Sequence, residues 1–121
     1  MQKELYMEEY EQFIHDYKAM EVTGERVGET IARMAQYFAS HNLLMVDRER
    51  TLSKVAADME RKTDDNGKAI SSAKAKVLTD ETDEAYLYNQ AKAHVQNIEQ
   101  YINALKSLQK GILNEYSHMG Q

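Results

Sequence analysis

Apolar residues recur along the first half of the chain at alternating spacings of four and three, through Tyr6, Tyr10, Phe13, Tyr17, Met20, Gly24, Val27, Ile31, Met34, Phe38, His41, Met45, Arg48, Leu52, Val55 and Met59. Only Gly24, His41 and Arg48 interrupt the apolar character of this stripe, and its register never slips. A 3,4 period holds one face of an α-helix against a neighbouring helix, so the pattern predicts helices paired along their lengths. Thr23 is a good helix cap and Gly24 a good breaker. One helix of nearly sixty residues, roughly 90 Å long, and two helices divided near Thr23 both satisfy the stripe. The reading adopted is the divided one, with an N-terminal helix over 1–22 and a long helix over 24–62. Gly24, Gly28, Ala32, Ala35 and Ala39 form a second stripe of small residues beside the first, where another backbone can come close.

The clearest turn is Thr63-Asp64-Asp65-Asn66-Gly67, because Asn-Gly tolerates positive φ and Asp side chains bond to nearby backbone. Ser71 or Ser72 then caps a short alanine-rich helix, so that 63–82 reads as a turn with a short helix. Asp80, Glu81 and Asp83 supply an acidic start for the last one. That last helix, over 83–118, carries Tyr88, Ala91, Val95, Ile98, Ile102 and Leu105 in 3,4 spacing, then drifts to Leu108, Ile112 and Tyr116. Its length matches the long helix before the turn, which predicts antiparallel pairing. The expected fold is a single all-α domain: an elongated antiparallel helical hairpin or coiled-coil-like bundle with an additional N-terminal helix.

Composition agrees with this. The 121 residues include no proline and five glycines, the profile of a mostly helical chain. No cysteine is present, which removes disulfides, thiolate catalysis and Cys-based zinc sites. The start Met1-Gln2-Lys3-Glu4 is not that of a signal peptide, and no run nears the roughly 18 apolar residues of a membrane span. A cytoplasmic protein with no membrane partner is expected.

The net charge of −5 is unevenly spread: −5 over residues 1–30, +3 over 31–78 and −3 over 79–121. The basic excess gathers around one turn, in Arg61, Lys62, Lys68, Lys74 and Lys76. These residues are a possible nucleic-acid contact, secondary because the acidic remainder repels a phosphate backbone. A solvated helix face explains the same residues without a ligand. At the other end Tyr6, Tyr10, Phe13 and Tyr17 form an aromatic stripe rimmed by Glu4, Glu8, Glu9, Glu11 and Asp16. It reads either as core or as a partner-binding face, since tyrosine is enriched at interfaces.

His41 and Arg48 occupy core positions one heptad apart, where an unpaired charge is costly. They are read as residues that meet a polar partner or fix register and oligomeric state. A chemical role for His41 requires a second ionisable group across the seam.

Catalytic and metal motifs fail one by one. Glu115-x-x-His118 has the spacing of a di-iron bundle ligand pair, but no second pair exists. Asp64, Asn66 and Gly67 sit like part of a calcium loop, yet alignment on Gly67 puts Lys62 at the first ligand position and Ala73 at the last. Ser71-x-x-Lys74 lacks the companion motifs of acyl-transfer enzymes and reads as a helix cap followed by a surface lysine. Gly-rich phosphate loops, His-Glu-x-x-His and Gly-x-Ser-x-Gly are missing. Neither enzyme activity, cofactor nor metal is expected.

The arrangement Gly67-Lys68-Ala69-Ile70-Ser71-Ser72-Ala73-Lys74-Ala75, then Glu84-Ala85-Tyr86 and Ile102-Asn103-Ala104-Leu105-Lys106-Ser107-Leu108-Gln109, resembles small all-helical proteins of bacteriophages and prophages. Genes for such proteins often sit among replication and recombination functions, and the likeness covers under half of the chain. The resemblance implies a phage accessory factor in the bacterial host cytoplasm and supplies no site residues. With the stripe, it leads to the expectation of a non-enzymatic homo-oligomer that binds a phage or host protein, with an accessory role in DNA replication or recombination as one setting. A second expectation is an inhibitor of a host defence protein acting through the acidic tyrosine face. A third, a secretion-system helical hairpin, meets the difficulty that a chain without tryptophan cannot make the Trp-x-Gly turn of that class.

Overall fold

The computed structural model describes the backbone of residues 3–119 and the side chains through Glu115. Among the described residues there are four helices and no strand: α1 (Leu5–Lys18), α2 (Gly24–Glu60), α3 (Ser72–Asp80) and α4 (Asp83–Met119). This is an all-α bundle with an N-terminal helix, in which α2 packs on α4.

The break between α1 and α2 is made by local chemistry at both ends. Thr23 Oγ1 accepts from the Arg26 amide at 3.1 Å, which caps α2. α1 stops earlier than the heptad stripe suggests. The Met20 amide donates to Tyr17 O and the Glu21 amide to Asp16 O, both at 3.0 Å. Met20 itself sits at φ 61°. These are the two bonds and the left-handed residue of a Schellman stop, with methionine where glycine is usual. Met20, counted in the core stripe on sequence, is therefore 93% exposed; the stripe keeps its count across a break where the helix does not. Met20→Gly removes the Cβ clash of the left-handed conformation and sacrifices no packing. The expected result is a gain of about 0.5–1 kcal/mol in urea unfolding, after the entropy cost of glycine is subtracted.

The packing falls into two compact units. The first joins residues up to Ser40 with those from Gln96 onward. In it α1 runs antiparallel to α2, as the pairs Asp16–Arg26 and Glu9–Arg33 show. The core consists of Tyr6, Phe13, Val27, Met34, Ile98 and Leu105, all at 1% exposure or less, with Ile31, Phe38, Ile102, Leu108 and Ile112 packed around them. The α2 backbone comes close to α4 at its glycines: a methyl added at Gly24 would lie 3.7 Å from Ile112 Cγ2, and one at Gly28 would lie 3.7 Å from Gln109 Nε2. The other members of the expected small-residue stripe, Ala32, Ala35 and Ala39, face solvent.

The second unit spans His41–Val95. Its buried residues are small: Ala75, Thr79, Ala85, Ala91 and Val95. The Thr79 hydroxyl is satisfied by donating to Ala75 O at 2.8 Å. The turn after α2 is a tight hairpin rather than an irregular loop. Thr63 and Ala69 form an isolated antiparallel bridge. Asp64 Oδ1 accepts from the amides of Asn66 and Lys68, and Gly67 takes φ 78°. Ser71, not Ser72, caps α3 by accepting from the Lys74 amide at 3.1 Å. Thr82 Oγ1 accepts from the Ala85 amide at 3.2 Å at the start of α4.

Candidate functional site

The aromatic stripe of α1 turns inward. Tyr6 and Phe13 are wholly buried and present no surface to a partner. Tyr6 packs against Tyr37 and Tyr101 with ring centroids 6.3 and 5.9 Å apart, and burial pushes its hydroxyl pKa upward. Tyr10 stacks on Tyr101 at 3.9 Å with the rings 5° from parallel. Only Tyr17, 43% exposed, faces outward among the four. This corrects the partner-face reading for Tyr6 and Phe13. Three helices meet in this unit, so the aromatic face of α1 is consumed closing the bundle.

Part of the acidic rim is committed as well. Glu9 Oε2 accepts from Arg33 Nε at 2.8 Å, Oε1 accepts from Arg33 Nη2, and Oε1 also accepts from the Tyr37 hydroxyl at 2.8 Å. The Arg33 guanidinium, helped by Tyr37, holds the Glu9 carboxyl below the usual carboxylate range. A carboxyl lowered on folding stabilises the protein above its unfolded pKa, and that contribution is lost as pH falls through the folded one. Glu9 is 29% exposed and Arg33 58%, so solvent screening limits the pair to about 1 kcal/mol. Glu9→Gln is expected to cost that amount at neutral pH. As the pH is lowered through the depressed pKa of folded Glu9, the carboxylate is protonated and the variant and the parent are expected to converge; a difference that does not shrink with falling pH would mean the carboxylate is not what matters. Asp16 is lowered in the same direction by its bond to Arg26 Nη2 at 2.8 Å.

The residues proposed for nucleic-acid contact share the second unit and all are exposed: Arg61 and Lys62 after α2, Lys68 on the hairpin, Lys74 and Lys76 on α3. Arg61 lies 4.0 Å from Asp58, a separation that leaves its charge largely solvated. The hairpin fixes the Lys68 backbone by two bonds: the Asp64 amide donates to Lys68 O at 2.7 Å, and the Lys68 amide donates to the side-chain Oδ1 of Asp64 at 3.0 Å. Asp64 Oδ1 is held inside the turn by the amides of Asn66 and Lys68.

The same unit exposes apolar surface that sequence reasoning passed over. Leu43 is 72%, Leu44 43% and Val46 48% exposed on one stretch of α2. The signal was available: in Leu43-Leu44-Met45-Val46 only Met45 belongs to the heptad stripe, and a run of four apolar residues on a helix overfills one face. Val77 and Tyr86 are also exposed.

His41 and Arg48 are half-buried, as their stripe positions require. Across from His41 stands His94 of α4, with ring centroids 5.4 Å apart and the rings tilted by 46°. His94 lies beside the α4 stripe, between Ala91 and Val95, and went unread for that reason. Among the described residues no three His, Asp or Glu side chains converge on one point. The histidine side chain of Glu115-x-x-His118 lies outside the described residues. No described helix is long and apolar enough to cross a membrane. Comparison of the chain with family models, with curated proteins and with solved structures finds no match.

Proposed function

We propose that the chain is a non-enzymatic helical binding and assembly protein, active as a homo-oligomer that docks a second macromolecule. The phage resemblance supplies the setting: a bacterial cytoplasm and an accessory role in DNA replication or recombination. One observation carries the binding part of this reading, the exposure of Leu43, Leu44 and Val46 together on α2. Leu43 and Val46 lie on one side of α2 at i,i+3 spacing, and large apolar side chains grouped in water on one helix turn support contact with another protein. The basic hairpin lies in the same unit and is the place for a secondary contact with nucleic acid. Inhibition of a host defence protein through the tyrosine face has less support, because Tyr6 and Phe13 are internal.

The test combines two measurements on the parent chain and on the double variant Leu43→Glu with Val46→Glu, whose side chains face solvent and whose replacement leaves the core untouched. Light scattering is expected to give a multimeric mass for the parent and a smaller one for the variant. Affinity capture from bacterial lysate, with and without nuclease, is expected to retain a protein that the variant loses. A monomeric parent whose captured proteins are indifferent to both substitutions removes the reading. Capture that nuclease abolishes, and that charge reversal at Lys68, Lys74 and Lys76 also abolishes, moves the partner from protein to nucleic acid.

A further inference from the structure

We propose that His41 of α2 and His94 of α4 form a two-histidine site for a borderline divalent transition metal ion, Zn²⁺ or Ni²⁺. The rings face one another across the helix seam of the second unit with centroids 5.4 Å apart. A zinc ion bound at 2.0–2.1 Å to an imidazole nitrogen lies about 3.2 Å from the ring centroid. Two such rings at the tetrahedral angle therefore have centroids about 5.2 Å apart. The observed separation is within a few tenths of an ångström of that value, so the two helices already hold the rings at the spacing of two imidazoles that share one ion.

The donor set selects the ion. Imidazole suits zinc, nickel and copper, whereas magnesium and calcium prefer all-oxygen donor sets. Both histidines are half-buried. The neighbouring cation on the same stripe, Arg48, lies seven residues on, about 10 Å along the helix. That distance is near one Debye length at physiological salt, and its repulsion is screened accordingly. Lys92, two residues before His94, is exposed on α4. The site needs no partner protein, and its test is separate from the oligomer and capture experiments.

A metal held by both helices binds the folded unit and not the unfolded chain, so it raises thermal stability by mass action. With ZnCl₂ about tenfold above its dissociation constant, the unfolding midpoint is expected to rise by about 5 °C. Isothermal titration with ZnCl₂ is expected to show one saturable site per chain. NMR titration with NiCl₂ is expected to broaden the imidazole resonances of His41 and His94 and spare those of His15. His94→Gln and His41→Gln each remove one of two protein ligands and weaken Zn²⁺ binding by at least about tenfold. His15→Gln leaves it unchanged, and circular dichroism checks that each variant stays helical. If one glutamine variant unfolds, the other and the parent's NMR titration still decide the question. Absence of binding at millimolar Zn²⁺, binding undiminished in both variants, or broadening confined to other histidines would overturn the proposal.

Discussion

Phe13→Ala is expected to lower the free energy of unfolding by about 3–5 kcal/mol, the range for removing a fully buried aromatic ring. Phe13 has no exposed surface and belongs to the six-residue core of the first unit. Its ring lies 6.4 Å from Tyr17, and the Arg26 guanidinium sits 5.9 Å above it. Truncation removes the buried ring and leaves a cavity between three helices. Since a domain of this size has about 5–15 kcal/mol in total, the variant is expected to approach the limit of folding at 37 °C. Tyr17→Ala is the internal comparison, with a loss below about 1 kcal/mol because 43% of that side chain already meets water. Urea unfolding followed by circular dichroism measures both. Equal small losses for the two would mean that α1 presents its aromatic stripe outward, and would restore the partner-face reading.

The second large effect is expected in the other unit and has the opposite sign of volume. Ala91→Leu should destabilise by about 1–3 kcal/mol, the usual cost of inserting carbon atoms into a close-packed interior. Ala91 is 4% exposed, Ala85 3% and Ala75 2%, so this unit buries small side chains where the first buries aromatic and long aliphatic ones. A leucine at Ala91 has to displace a helix or adopt an off-rotamer conformation. Ala93→Leu, on the exposed face of the same helix, controls for helix propensity and is expected to be close to neutral. Thermal unfolding of both variants distinguishes overpacking from a general effect of leucine. A stabilising Ala91→Leu would show that the seam has unfilled space.

Sequence periodicity carried most of the helical reading, for a physical reason. A helix that buries one face needs an apolar residue every three or four positions, and this demand is local enough to read in Val27, Met34, Ile98 and Leu105 without knowing what they touch. Caps are local too, which is why Thr23 and Ser71 could be picked from residue type. The α1 stop was not legible. Methionine in the left-handed conformation at Met20 has no sequence signature, since glycine is the usual occupant, and only the bonds to Asp16 O and Tyr17 O reveal it. The bridge between Thr63 and Ala69 depends on the closure of the turn between them, which composition does not specify.

The chain's own pattern thus determined an all-α class, the places of the turns, the face of α2 and α4 that is buried, and the solvent exposure of the basic cluster. Those properties follow from spacing and charge, which act over a few residues. Tertiary structure alone decided that α1 lays Tyr6 and Phe13 inward, that Glu9 is held by Arg33 and Tyr37, that Leu43 and Val46 remain outside, and that His41 meets His94. Each of these depends on which face of a second helix lies opposite. A helix pattern names the face that seeks cover, and the neighbour that supplies it comes from elsewhere in the chain, 24 residues away for Glu9 and Arg33.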